Sequence, residues 1–152
     1  MKTLNEYIDV RLDEDVKIGG VGIGLVLRNQ KEVDECRQQT DLHRQRIESI
    51  RDFDGWKKYA AMLLVQSCEA WNQLLKLGKA DKNVRTDDLE ESIKDLFYWT
   101  WTRLEDTTVG SASLSDIVLR DKSKYEGFIK YSKPILSAYK NLVAGKPIKI
   151  SI

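Results

Sequence analysis

Asp88, Glu91 and Asp95 stand at i, i+3 and i+7, a spacing that lines three carboxylates along one side of a helix. Such a stripe offers the hard oxygen ligands that Mg²⁺ takes. His43 is the only histidine, and so the only side chain whose ordinary pKa lies near neutrality. Cys36 and Cys68 are the only cysteines. Each sits among apolar residues and reads as a reduced core residue, since a reactive thiol needs an electropositive, partly open setting. One histidine and two cysteines leave little material for a zinc site. Tyr98 and Trp99 follow Phe97 directly. If Phe97 faces the core, Tyr98 and Trp99 project onto the acidic side, where a Tyr-Trp pair beside carboxylates has the composition of a protein interface.

Glycines recur from Gly19 to Gly24, but as G-x-G-x-G, followed by the strand-like Leu25-Val-Leu. A dinucleotide loop needs G-x-G-x-x-G opening a helix, whose N-terminal amides hold the phosphate. The two Gly-Lys pairs precede Ala80 and Pro147, not the Ser or Thr of a phosphate loop. The stretch reads as a bulged or tightly packed strand.

Two segments resemble known families. Arg37-Gln-Gln-Thr-Asp-Leu-His43 has the R-x(4–6)-H form of HEPN-type ribonucleases, which are also small helical bundles. In that family the motif usually lies late in the chain; here it lies on the first helix, where His43 also fits a buried, hydrogen-bonded position that sets helix register. Met62 to Trp71, followed by Leu89 to Phe97, resembles the MazG-like nucleotide pyrophosphohydrolases. Those carry E-x-x-E on one helix and E-x-x-D on the next. The matching positions are Gln66, Glu69, Ser92 and Asp95, so two of the four carboxylates are replaced. The resemblance covers about a quarter of the chain and implies Mg²⁺ held by Glu69, Glu91 and Asp95. It requires the polar strip Gln66, Glu69 and Gln73 to face the acids of the later helix.

The elements that must position these residues are mostly helical. Val33, Cys36, Thr40, His43, Ile47 and Ile50 form a three-four seam on a helix from about 30 to 51, a seam that fits pairing within a bundle or across a homodimer. A second helix, about 54–77, is apolar nearly all round between Tyr59 and Val65, which predicts the central buried helix, stopped by Gly78. A third starts at Thr86 and ends near Glu105, burying Leu89, Ile93, Leu96, Phe97, Thr100 and Leu104; its acids lie opposite, where they complement the helix dipole. A small-residue loop covers 107–113 and a short helix about 114–121. The last helix, about 122–144, contains Pro134, a kink or break, and ends at Gly145. Its predicted buried stripe is Tyr125, Phe128, Ile129, Ile135, Leu136, Tyr139, Leu142 and Val143, flanked by Lys122, Lys130, Lys133 and Lys140 as a basic patch. Tyr7 to Leu12 alternates with period two, Asp13-Glu-Asp15 is a turn signal and Val16 to Leu27 is a β-branched and glycine-rich run, which together predict a small N-terminal hairpin; Ile148 to Ile152 also alternates and could pair with it, making one small β element from both ends of the chain.

The chain has 152 residues, 41% hydrophobic and 32% charged, with net charge +1. That is one domain's length, a mainly α single bundle of four to five helices over 29–145 with β-rich ends. The apolar fraction excludes disorder, and no apolar run approaches a membrane span. No basic n-region precedes an apolar stretch, so the reading is cytoplasmic. The charge is polarised: residues 1–36 hold five basic and eight acidic side chains, residues 120–152 eight basic and two acidic. With no complete catalytic constellation, the leading expectation is a non-enzymatic interaction protein without cofactor: an assembly subunit, inhibitor or immunity-type protein. It would dock a protein partner through Asp88, Glu91, Asp95, Tyr98 and Trp99. The alternatives are the Mg²⁺-dependent pyrophosphohydrolase and a nucleic-acid accessory protein using the C-terminal lysines.

Overall fold

Local capping chemistry sets where the helices begin. Asn29 accepts a hydrogen bond from the Glu32 amide at 3.0 Å, and Asp52 accepts one from the Gly55 amide at 2.7 Å, each satisfying a first-turn N–H that has no partner within its helix. The computed structural model describes residues 26–110 and 122–150, with side chains in the second stretch from 124 onward. Among them are four helices: α1 (Gln30–Glu48), α2 (Phe53–Ala80), α3 (Asp87–Thr108) and α4 (Lys122–Val143). Thr86 stands at the predicted start of α3 but makes no side-chain cap; its hydroxyl donates to Glu90 at 3.0 Å instead.

The mainly α bundle expected from the hydrophobic periodicity is present. The α1 seam is buried within the chain at Val33, Thr40, His43, Ile47 and Ile50. The predicted inward face of α3 is buried at all six positions. α2 contributes the largest buried set, from Trp56 to Leu77, but α3 is the helix that packs along each of the other three. α2 meets α4 through an aromatic cluster, with Tyr131 5.1 Å from Trp56 and 6.1 Å from Phe53 between ring centroids. The Trp56 indole N–H donates to the Thr100 carbonyl at 2.9 Å, which satisfies the one polar atom of a fully buried ring.

Several expectations need correcting. Gly78 does not stop α2; the helix continues to Ala80 and ends at Asp81, whose N–H bonds the Leu77 carbonyl. A glycine ends a helix where the backbone turns left-handed, and Gly78 does not: the only positive-φ residues among those described are Gly110 and Gly145. α3 runs through Thr108, three residues past its predicted end; within this last turn the Thr107 and Thr108 hydroxyls donate to the Arg103 and Leu104 carbonyls. α4 passes through Pro134 without interruption. Its buried face is Ser132, Ile135, Ala138 and Leu142, flanked by the half-buried Phe128, Tyr131 and Tyr139. Ile129, Leu136 and Val143, predicted to be core, are exposed. Each lies one residue beyond a member of the 128–135–142 row, and one residue is about 100° around a helix.

The predicted N-terminal hairpin and the short helix over 114–121 lie outside the described residues, as do residues 151 and 152. Residues 146–150 belong to neither a helix nor, among the described residues, a strand. Asn72 takes the place of a strand neighbour: its carboxamide accepts from the Ile148 N–H and donates to the Ile148 carbonyl, both at 2.8 Å. The Trp71 indole donates to the Lys146 carbonyl at 2.8 Å. These bonds pin the tail to α2 and bury Ile148 and Ile150. No helix among the described residues is long and apolar enough to cross a membrane.

Candidate functional site

Contacts between the helices establish their relative directions. Trp56 of α2 meets Thr100 of α3 at one end, and Gly78 lies beside Thr86 at the other, so α2 and α3 are antiparallel. Tyr131 lies at Trp56, and Lys146 at Trp71, so α4 runs with α2 and against α3. Trp101 packs on Phe128 and donates to the Ser132 hydroxyl at 2.9 Å. With these pairs in register, Tyr98 stands at the level of Lys133 to Leu136, and Asp95 and Glu91 at the level of Leu136 to Val143.

Going round α4 from its α3-facing edge at Ser132, the next row is Ile129, Leu136 and Val143, and the row after it Lys133 and Lys140. Going round α3 from Trp101, the next row is Tyr98 with Glu91, and the row after it Asp95 with Asp88. The outer surface over the α3/α4 seam therefore carries three bands: the acids of α3, of which Glu91 shares the row of Tyr98, then apolar side chains, then lysines. The apolar band is open to solvent, with Tyr98 56%, Leu136 48%, Val143 59% and Ile129 38% exposed. Asp88, Glu91, Asp95, Lys133 and Lys140 are all exposed. Lys94, at the α3 edge, lies 3.5 Å from Glu91.

This arrangement brings together most of the residues singled out from sequence, with qualifications at three of them. Trp99 is half-buried against the core and meets Tyr98 edge-on, ring centroids 5.8 Å apart, so Tyr98 is the more open of the pair. Lys130 lies off the apolar band, its ammonium 5.2 Å over the Tyr131 ring. Lys122 begins α4, and its side chain lies outside the described residues. The reading of α4 by hydrophobicity missed Ile129, Leu136 and Val143 as surface residues. The signal that could have found them is the wheel itself: the helix offers two apolar rows about 100° apart, more than one packed face requires.

The pyrophosphohydrolase ligands are not gathered. Glu69 lines a cleft between α1 and α2, whereas Glu91 and Asp95 lie on the outer side of α3. Among the described residues, no three His, Cys, Asp or Glu side chains form a group that could hold a metal ion. The HEPN-like pair also diverges. Arg37 lies 3.7 Å from Asp41, which accepts from Ser92 of α3, while His43 lines the α1/α2 cleft. Six residues of helix set the two side chains about 120° apart around the axis.

That cleft is the second feature, about 410 Å³ in volume and lined by Cys36, Gln39, Thr40, His43, Gln66 and Glu69 among others. Two polar interruptions meet there: Thr40 and His43 in the apolar seam of α1, and Gln66 and Glu69 on α2. Burial pushes the His43 imidazole down to about 4 and the Cys36 thiol upward. At neutral pH the cleft presents, beside the acidic side chains of Glu32, Glu35 and Glu69, an uncharged imidazole, a protonated thiol and carboxamides, with no activated thiol among them. The Cys68 thiol is raised to about 12, mainly by burial and also by the nearby Glu69 carboxylate.

No protein-family model matches the chain. No curated protein and no solved structure matches it either.

Proposed function

We propose that the protein is a non-enzymatic interaction module that docks a protein partner through the outer α3/α4 face. One observation carries this reading: Tyr98 on α3 and Ile129, Leu136 and Val143 on α4 are all solvent-exposed, and helical geometry sets them on the rows flanking the α3/α4 seam. A contiguous apolar strip with a polar rim is the surface pattern of a protein-binding site, and tyrosine is among the residues that dominate binding energy there. The acids set the orientation of the partner and steer its approach. They also oppose nucleic acid at this face, because a polyanion lying on Lys133 and Lys140 would run beside Asp88, Glu91 and Asp95.

The test compares tagged wild-type protein with a Tyr98→Ala/Leu136→Ala double variant in pull-downs. Both side chains are about half exposed, so the variant keeps its melting temperature to within a few degrees. A partner retained by wild type and lost by the folded variant supports the reading. An identical set of retained proteins contradicts it.

A further inference from the structure

The order of the three bands has a geometric consequence. A two-fold axis lying in the surface and parallel to α3 and α4 keeps each residue at its level along the helices and exchanges left for right. The apolar band then falls on itself, and the acidic row of one copy falls on the lysine row of the other. A two-fold axis across the helices would instead set acid against acid. We propose that the partner of this face is a second copy of the same chain, in a two-fold symmetric dimer whose axis runs along α3 and α4, so that α3 of each copy lies against α4 of the other. The inference rests on the docking role just described and names the occupant of that face.

Charge complementarity is the observation that selects this occupant. Lys140 stands at the level of Glu91 and Asp95, so under the parallel axis it meets those acids of the other copy. Lys133 stands at the level of Tyr98 and covers its ring edge. From residue 127 to the end of α4 there is no acidic residue, and none of the outer α3 positions 88, 91, 95 and 98 is basic; the neighbouring Lys94 lies 3.5 Å from Glu91. Each copy therefore contributes one acidic and one basic edge, the requirement for a self-complementary isologous contact. From Ile129 to Val143 the band runs about 21 Å at 1.5 Å per residue. Two helix widths across, the contact area is at the low end for specific interfaces, so the dimer is weak and concentration-dependent, in the micromolar range.

Sedimentation velocity on the full chain across the micromolar range tests this. Wild type shifts from monomer to dimer as concentration rises, and the transition moves to higher concentration as salt is added. Glu91→Lys/Asp95→Lys carries two basic edges and Lys133→Glu/Lys140→Glu two acidic ones. Each variant, verified as folded by circular dichroism, is monomeric alone at concentrations where wild type is dimeric, and an equimolar mixture of the two restores the dimer. Wild type that stays monomeric throughout, or folded reversed variants that dimerise as wild type does, or a mixture that fails to assemble, overturns the proposal. If wild type is monomeric while Tyr98→Ala/Leu136→Ala still loses a captured protein, the self-association is wrong and the docking face survives. If that variant also loses nothing, both fall.

Discussion

At the residue scale, His43 is the group whose behaviour follows most directly from its surroundings. It is 7% exposed, and burial lowers its pKa from 6.5 to about 4. In the unfolded chain the imidazole binds a proton below pH 6.5; in the folded chain it does not until about pH 4. Stability is therefore fully present above pH 6.5 and lost as pH falls from there to about 4, by at most about 3 kcal/mol. Because His43 is the only histidine, the slope belongs to it alone in the upper part of that window. His43→Gln should flatten the dependence of melting temperature on pH between 6.5 and 5, whatever its offset at pH 7; an unchanged slope would show that His43 titrates normally. Asn72 is a second such position. Asn72→Ala removes both bonds to Ile148 and leaves buried backbone groups unpaired, which should lower stability by about 1–3 kcal/mol. Hydrogen exchange at the Ile148 amide should accelerate well beyond the global change. Nothing in the spacing around Asn72 announces this role, since a side chain that imitates a strand neighbour depends on where the tail returns.

At the element scale, the helices were legible because their apolar periodicity is long and their caps are local. The buried face of α3 reads directly from Leu89, Ile93, Leu96, Phe97, Thr100 and Leu104. The end of α2 was not legible, because Gly78 is a stop signal only if the backbone turns left-handed there, and local sequence does not determine that. The exposed row of α4 was not legible for a different reason: the sequence shows two apolar rows, and only the placement of α2 and α3 decides which is covered. Gly127 shows how close the α2/α4 packing is. A Cβ there would lie 2.4 Å from Cζ of Phe53. Gly127→Ala should therefore destabilise by about 1–3 kcal/mol even though alanine is the better helix former. In a Phe53→Ala background the same substitution should become neutral or stabilising, and chemical denaturation of the four proteins of that cycle measures the coupling. The same distinction separates neighbours on α3. Trp99→Ala should cost about 1–3 kcal/mol, as a half-buried ring packed on the core does, whereas Tyr98→Ala should cost under about 1 kcal/mol. Thermal unfolding of the two variants tests this directly, and equal losses would contradict the placement of the rings.

At the scale of the whole molecule, the basic excess of the C-terminal segment appears as the lysine edge of α4, and the acidic edge beside it comes from α3, in the middle of the chain rather than from the acidic first 36 residues. Between them lies apolar area that the fold leaves uncovered. Of the residues chosen from sequence as a docking surface, the acids and Tyr98 stand on that face, and α4 supplies the apolar side chains the sequence reading assigned to the core. The most direct test places a photo-crosslinking aromatic amino acid at position 98 and, as a control, at position 82, an exposed site between α2 and α3. Irradiation of the protein in its native extract should give a discrete covalent adduct from position 98, lost when Leu136→Asp is added, and none from position 82. An adduct of twice the chain's mass identifies a second copy, and any other mass a different protein. No adduct above the control at position 98 would contradict a docking role for this face.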